Sequence, residues 1–353
     1  MASQEQKTAC VTGGNGFIAS TLVKQLLEKG YAVNVTVRDP DNASKVGRLK
    51  QLRSLGRLTI FRADLSEEGS FDAAVSGCHY VFLVAAPVNM AAEDAENELI
   101  KPAIQGTLNL LRSCVKAKTV ERVVLTSSAA SVSINELKGT GMVLDEEAWS
   151  DLTYLTSKKP PSWGYAVSKV LAEKEASKFA LENGIDLVTM IPALTIGPAL
   201  GAEVNLSLML GVSLLSGKEE RKLIDGFRIM QTLSGSISFT HVEDICRAHI
   251  FVAETESASG RYICCSINTS LPELAKFLSE RYPRYKVPTD FSDLPEKPKL
   301  MLSSEKLIKA GFEFKYKQLE DIYDDTVQFA EAVGLLQPKS KGSHHQTTTG
   351  KGA

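Results

Sequence analysis

The feature that most constrains this chain lies within its first thirty residues. Gly13-Gly14-Asn15-Gly16 stands between an apolar β-rich run, Thr8 to Thr12, and an amphipathic run, Phe17 to Lys29. Phe17, Leu22, Val23, Leu26 and Leu27 fall mainly on one helical face, and Gly30 ends the run. Glycine permits positive φ in the turn and lets an anion approach the backbone. Free N–H groups at the helix start, with the helix dipole, attract that anion. A glycine turn alone is weak evidence and can be merely structural. A strand directly before it and a helix directly after it form the context in which it holds a dinucleotide pyrophosphate. Gly13, Gly16, Phe17 and Ile18 are the first candidate cofactor contacts, and Ala19 takes the small position where helix meets strand.

The alternation continues. Val33 to Val37, Leu58 to Phe61, Val81 to Val84, Val123 to Thr126 and Leu187 to Ile191 read as strands, and Glu96 to Ala117 and Tyr165 to Glu182 as helices. Repetition of this kind predicts the α/β class: a doubly wound parallel sheet of Rossmann type, over residues 1–191. After Pro192 the pattern changes. A helix is expected at Leu206 to Leu215, a polar stretch at Lys218 to Lys222, and a strand at Ser236 to Phe239 that returns to the sheet. A helix at Val242 to Val252, a strand at Arg261 to Cys264 and helices at Pro272 to Arg281, Ser303 to Ala310 and Leu319 to Ala332 follow. The expected organisation is a dinucleotide-binding domain over 1–191 rejoined by 236–268. Segments 192–235 and 269–336 form a smaller C-terminal α/β substrate lobe, and 337–353 a disordered tail.

Composition narrows the class. Forty basic against forty-two acidic residues give a net charge of −2, which argues against a nucleic-acid binder held by bulk charge. No apolar run reaches the ~18 residues of a membrane span. The polar first residues read as no signal peptide, so a cytoplasmic protein is expected. The sequence does not give the oligomeric state, a monomer being the favoured reading. Six cysteines at no zinc-ligand spacing read as buried free thiols, and no metal is expected. His241 and His249 are spaced too far apart for one metal face. His241 is expected to cap or pack the following helix, and Glu146-Glu147 to be a solvated pair.

The end of the second strand selects the cofactor. Arg38 stands where an NAD site commonly has a carboxylate, and can fork onto a 2′-phosphate. Lys45 adds a second positive charge, and NADPH is the expected cofactor. The bland alternative pairs Arg38 with Asp39 in solvent. Asp64-Leu65 closes the third strand near the adenine, although an Asp there is equally a cap. Tyr165 and Lys169 lie one turn apart on a helical face, where an ammonium favours phenolate and equips the tyrosine for proton transfer. Such a pair is usually only a surface pair. Its weight here comes from following a nucleotide turn on a later helix of the same sheet. Ser128 ends the fifth strand and can donate to the same substrate oxygen as Tyr165, or simply cap a turn.

Taken together, Gly13 to Ala19, Arg38, Ser128 and the Tyr165–Lys169 pair resemble the extended short-chain dehydrogenase/reductases. Thr36-Val37-Arg38-Asp39-Pro40, Phe61-Arg62-Ala63-Asp64-Leu65 and Thr126-Ser127-Ser128-Ala129-Ala130 are similar to the plant dihydroflavonol and anthocyanidin reductases. The C-terminal runs His241-Val242-Glu243-Asp244 and Val287-Pro288-Thr289-Asp290-Phe291 lie on the anthocyanidin side of that family. The resemblance implies reduction of anthocyanidins by NADPH to 2,3-cis-flavan-3-ols, tannin precursors, through hydride transfer. A flavonoid is the implied small-molecule partner. The alternative is a dihydroflavonol 4-reductase or a related phenylpropanoid reductase. Ser128, Tyr165 and Lys169 match the family's catalytic positions. The resemblance also implies cofactor contacts at Val84, Ala85, Ala86 and Pro192, and substrate contacts at Pro87, Ser133, Leu194 and Ser238. Ser133, at the family's position for B-ring selectivity, would donate one hydrogen bond to a ring hydroxyl, or merely fill a loop. Two family residues are replaced near the nicotinamide, an imidazole by Leu83 and a hydroxyl by Ala86.

Overall fold

Strands β1 (Thr8–Val11) and β2 (Ala32–Val37) flank the first helix, α1 (Phe17–Glu28), in a computed structural model that describes residues 6–89, 92–135, 141–201, 205–216 and 221–337. Then come α2 (Ala43–Gln51), β3 (Leu58–Arg62), α3 (Asp72–Val75) and β4 (Tyr80–Leu83). A wide helical turn, Glu96–Ile100, runs into α4 (Lys101–Ala117), and β5 (Arg122–Thr126) follows. The next elements are β6 (Met142–Leu144), α5 (Leu152–Lys158), α6 (Trp163–Asn183) and β7 (Leu187–Pro192). β10 is Gly260–Cys264. It joins β1–β5 and β7 in one seven-stranded sheet of order β10-β7-β5-β4-β1-β2-β3, parallel at every pairing. The order reverses between β1 and β4, and a doubly wound sheet opens its ligand crevice at that point.

Both faces are covered, so the strands read as nearly continuous apolar runs. Residues of α1, α2 and α9 (Val242–Glu254) pack one face with Val33, Val35 and Phe82. Residues of α3, α4 and α6 pack the other with Cys10, Val81 and Leu125. All six cysteines are buried and free. Burial pushes their thiols up, Cys78 to about 11 and Cys114 to about 12.

The second half builds its own core. β8 (Leu194–Ile196), β9 (Ile237–His241) and β11 (Ile267–Thr269) form a three-stranded sheet, and β12 (Leu300–Leu302) pairs in parallel with β6. Helices α7 (Leu206–Ser216), α8 (Arg221–Ser234), α10 (Leu271–Arg281) and α12 (Leu319–Ala332) surround this sheet, and α11 (Glu305–Lys309) packs beside β10. The strand expected at Ser236 to Phe239 exists but does not return to the large sheet. Beyond Pro192 the chain leaves β7 and forms β8, and β9 pairs with β8 and β11. Ile237 and Phe239 are fully buried in the lobe's core with Phe227 and Tyr323. That burial places β9 with the smaller sheet. Most of the polar stretch 218–222 and of the 337–353 tail lies outside the described residues. No helix among the described residues is long and apolar enough to cross a membrane.

Candidate active site

The carboxyl edge of the large sheet opens into a cleft of about 1320 Å³, whose far wall is the C-terminal lobe. Its floor is the glycine turn. Gly13 has φ +68°, and a Cβ there would lie 3.0 Å from that of Ala85. Gly16 precedes α1 with no side-chain cap, and the first turn carries no acidic residue. The helix therefore presents unpartnered N–H groups and an uncompensated positive dipole end. Thr12 draws the neighbouring loop in: its Oγ1 accepts from the N–H groups of Val84 and Ala85, both at 3.0 Å. Gly13, Gly16, Phe17, Ile18, Val84, Ala85 and Ala86 all line this end. The buried Nδ2 of Asn205, just before α7, has no hydrogen-bond partner among the described residues and belongs to the same wall. A bare helix terminus, a side-chain-free turn and an unused amide donor fit a bound pyrophosphate.

Arg38 is exposed at the mouth, with Lys45 beside it in the lining. Asp39 is not its partner. The Asp39 carboxylate accepts from the N–H groups of Asp41 and Asn42 in a local turn, and Arg38 makes no ion pair or hydrogen bond among the described residues. Asp64 accepts from the Ser66 N–H and hydroxyl at 2.8 and 2.7 Å, which holds its carboxyl below the usual range. It lines the cleft with Leu65 while serving that turn.

Ser128, Tyr165, Lys169 and Pro192 line the same cleft. Ser128 Oγ accepts from the Ala130 N–H at 3.2 Å, which leaves its hydrogen free to donate. Lys169 Nζ donates to the Thr126 carbonyl at 3.4 Å and lies 5.8 Å from the Tyr165 ring centre. Pro87, Ser133, Leu194 and Ser238 line the same cleft. The donor role expected of Ser133 does not hold as placed: its hydroxyl donates to the Ala129 carbonyl at 2.9 Å, so it offers a ligand lone pairs. Ser238 donates to Asn268 Oδ1 at 2.8 Å and is likewise an acceptor toward the cleft.

Other residues of this region correct or extend the sequence reading. Leu83 packs in the sheet's core and is absent from the cleft lining, so of the two replaced family residues only Ala86 reaches it. Glu146 is buried, not solvated. It accepts from the Ile263 N–H at 2.9 Å, and burial raises its carboxyl. His241 caps α9 by accepting from the Glu243 N–H and stacks on Tyr316, away from the cleft. Helix α8 went unread, yet its Leu223, Gly226, Met230 and Leu233 face the cleft at helical spacing. The signal was present as a 3–4-residue period just after the polar stretch. Among the described residues no cluster of side chains could hold a metal ion.

A family model described as NAD dependent epimerase/dehydratase matches residues 9–265. The chain is 62% identical over 340 residues to a Vitis vinifera protein named anthocyanidin reductase ((2S)-flavan-3-ol-forming), covering 96% of this chain and 100% of that one. Alfalfa vestitone reductase has a similar structure, with TM-score 0.80 and 37% identity over 94% of this chain and 100% of that one. A yeast methylglyoxal/isovaleraldehyde reductase complexed with NADPH has TM-score 0.77 and 25% identity, covering 93% and 99%.

Proposed function

The chain belongs to the NAD dependent epimerase/dehydratase family, and from that membership and its cleft we propose that it is an NADPH-dependent reductase converting anthocyanidins to flavan-3-ols. The single observation that carries the substrate class is 62% identity, over essentially the whole length, to an enzyme with that name. That name fixes the C2 configuration of its product and says nothing of C3. The 2,3-cis relation is carried here as part of the proposal.

NADPH, when bound, supplies hydride; the conversion of an anthocyanidin cation to a flavan-3-ol takes two such transfers, from two NADPH in succession, and one proton. The glycine turn and the bare start of α1 would hold its pyrophosphate, and Arg38 with Lys45 its 2′-phosphate. Val84 to Ala86, Asp64, Leu65 and Pro192 would wall its remaining length. Lys169 would hydrogen-bond the nicotinamide ribose. The Tyr165 phenol manages the proton on the substrate's oxygen, and the Ser128 hydroxyl, with its hydrogen free, steadies the same oxygen. A flat aromatic ligand would lie in the cleft that Pro87 and the apolar face of α8 both line. The oxygen lone pairs of Ser133 and Ser238 would accept from its ring hydroxyls.

Incubation with NADPH and cyanidin, followed by chiral chromatography, tests the reading. Consumption of pigment with formation of a 2,3-cis-flavan-3-ol is expected. Inert cyanidin alongside rapid reduction of dihydroquercetin would transfer the activity to the dihydroflavonol 4-ketone.

A further inference from the structure

Helix α6 meets the carboxyl end of β5 at two points. The first is the Lys169 contact with the Thr126 carbonyl. The second lies one turn further along the same face. There the Ser127 hydroxyl donates to Glu173 Oε2 at 2.7 Å. Glu173 is 1% exposed, and a carboxylate so deep requires a counter-charge. Arg261 of β10 supplies it through Nε, 2.6 Å from Oε1. Arg261 is itself fixed. Its Nη1 donates to the carbonyls of Glu146 and Ala148, and its guanidinium carbon lies 3.7 Å from the Trp149 ring centre.

Of Ser127, Glu173 and Arg261, only Ser127 lines the cleft. Its N–H donates to the Met190 carbonyl of β7 at 2.8 Å, and its Oγ lies 3.2 Å from Ser131 Oγ. Held on these sides, it fixes where the chain enters Ser128, whose backbone is extended at φ −162° and ψ 151°. A buried ion pair adds little stability over an apolar replacement, so orientation explains this one better than stability does.

We infer that Glu173, neutralised by Arg261, is a positioning residue that clamps the β5 turn to α6, so that the Ser128 hydroxyl and the Tyr165 phenol face one point of the cleft. This rests on the reading of Ser128 and Tyr165 given above. Ser127→Ala removes the clamp's hydrogen bond and leaves the ion pair in place. Expected are a kcat about tenfold lower, an NADPH Kd within about twofold of wild type, a Tm lower by a few degrees from the lost buried hydrogen bond, and faster amide exchange across 127–133. Ser127→Thr, which keeps the hydroxyl, restores most of the turnover. Glu173→Gln reproduces the loss of kcat. Wild-type kcat in Ser127→Ala overturns the proposal, as does a joint fall of kcat, cofactor affinity and Tm. A wild-type protein inert toward cyanidin overturns the substrate reading alone. The exchange rates still decide the clamp, and unchanged rates across 127–133 refute it.

Discussion

Lys169 Nζ lies 5.8 Å from the centre of the Tyr165 ring, and no hydrogen bond joins the two side chains. The ammonium gives its own hydrogen bond to the Thr126 carbonyl, not to the phenol. In the proposed mechanism the phenol serves proton chemistry and the ammonium cofactor binding, which gives the first prediction. Tyr165→Phe lowers kcat ~10²-fold or more and leaves NADPH affinity intact. Lys169→Met impairs both. Steady-state kinetics with fluorescence titration of NADPH distinguish the two variants, and near-normal turnover by Tyr165→Phe removes the phenol from the mechanism.

Arg38 stands at the cleft mouth with no ion pair or hydrogen bond among the described residues, its charge felt only at a distance by Asp64, so it is available to a ligand. Each charge-assisted bond to a phosphate is worth ~1.5–3 kcal/mol. Arg38→Met should thus raise the Michaelis constant for NADPH by roughly ten- to a hundredfold while that for NADH changes little. Parallel assays with both coenzymes check this, and equal effects would refute contact with the 2′-phosphate.

The glycine turn leaves no room for substitution beneath it. A Cβ on Gly14 would stand 2.0 Å from Val35 Cγ2, inside the sheet's core. Gly14→Ala should cost about 1–3 kcal/mol through overpacking, read as a lower midpoint in urea. An unchanged midpoint would mean that β2 yields freely.

His249 is fully buried. Its Nδ1–H donates to the Ile245 carbonyl at 2.7 Å, so Nε2 accepts from Thr126 Oγ1 at 2.8 Å. Burial lowers its pKa from 6.5 to about 4. Between those values the unfolded chain binds the proton and the folded one does not. The contribution is therefore complete above pH 6.5 and is lost as the pH falls toward 4, by about 3 kcal/mol at most. His249→Gln, which cannot ionise, should flatten unfolding free energy against pH across that window. An equally steep curve in the variant would assign the slope to other groups.

Much of the site is legible along the chain because its parts are local. A strand, a glycine turn and a helix follow one another within thirty residues, and Tyr165 and Lys169 share a helical face by spacing alone. Arg38, Asp64, Val84 and Ser128 each follow the end of a strand directly or after one intervening residue. In a parallel sheet the strands' carboxyl ends lie along one edge, so the alternation pattern brings these residues into one cleft.

What the chain alone determined was the identity of those groups and the edge on which they gather. Only the tertiary structure decided what each one touches. Glu146 reads as a solvated acid from the chain alone, yet β10 lies beside it, and Arg261 and Glu173, 88 positions apart, show no pairing signal. Ser133 looked like a donor until its hydroxyl met the Ala129 carbonyl, and β9 looked like a strand of the large sheet until β8 took it. The reason is physical. Turns and helical faces are set by neighbours a few residues away, whereas burial, charge pairing and strand partners depend on where distant segments return, which no local period encodes.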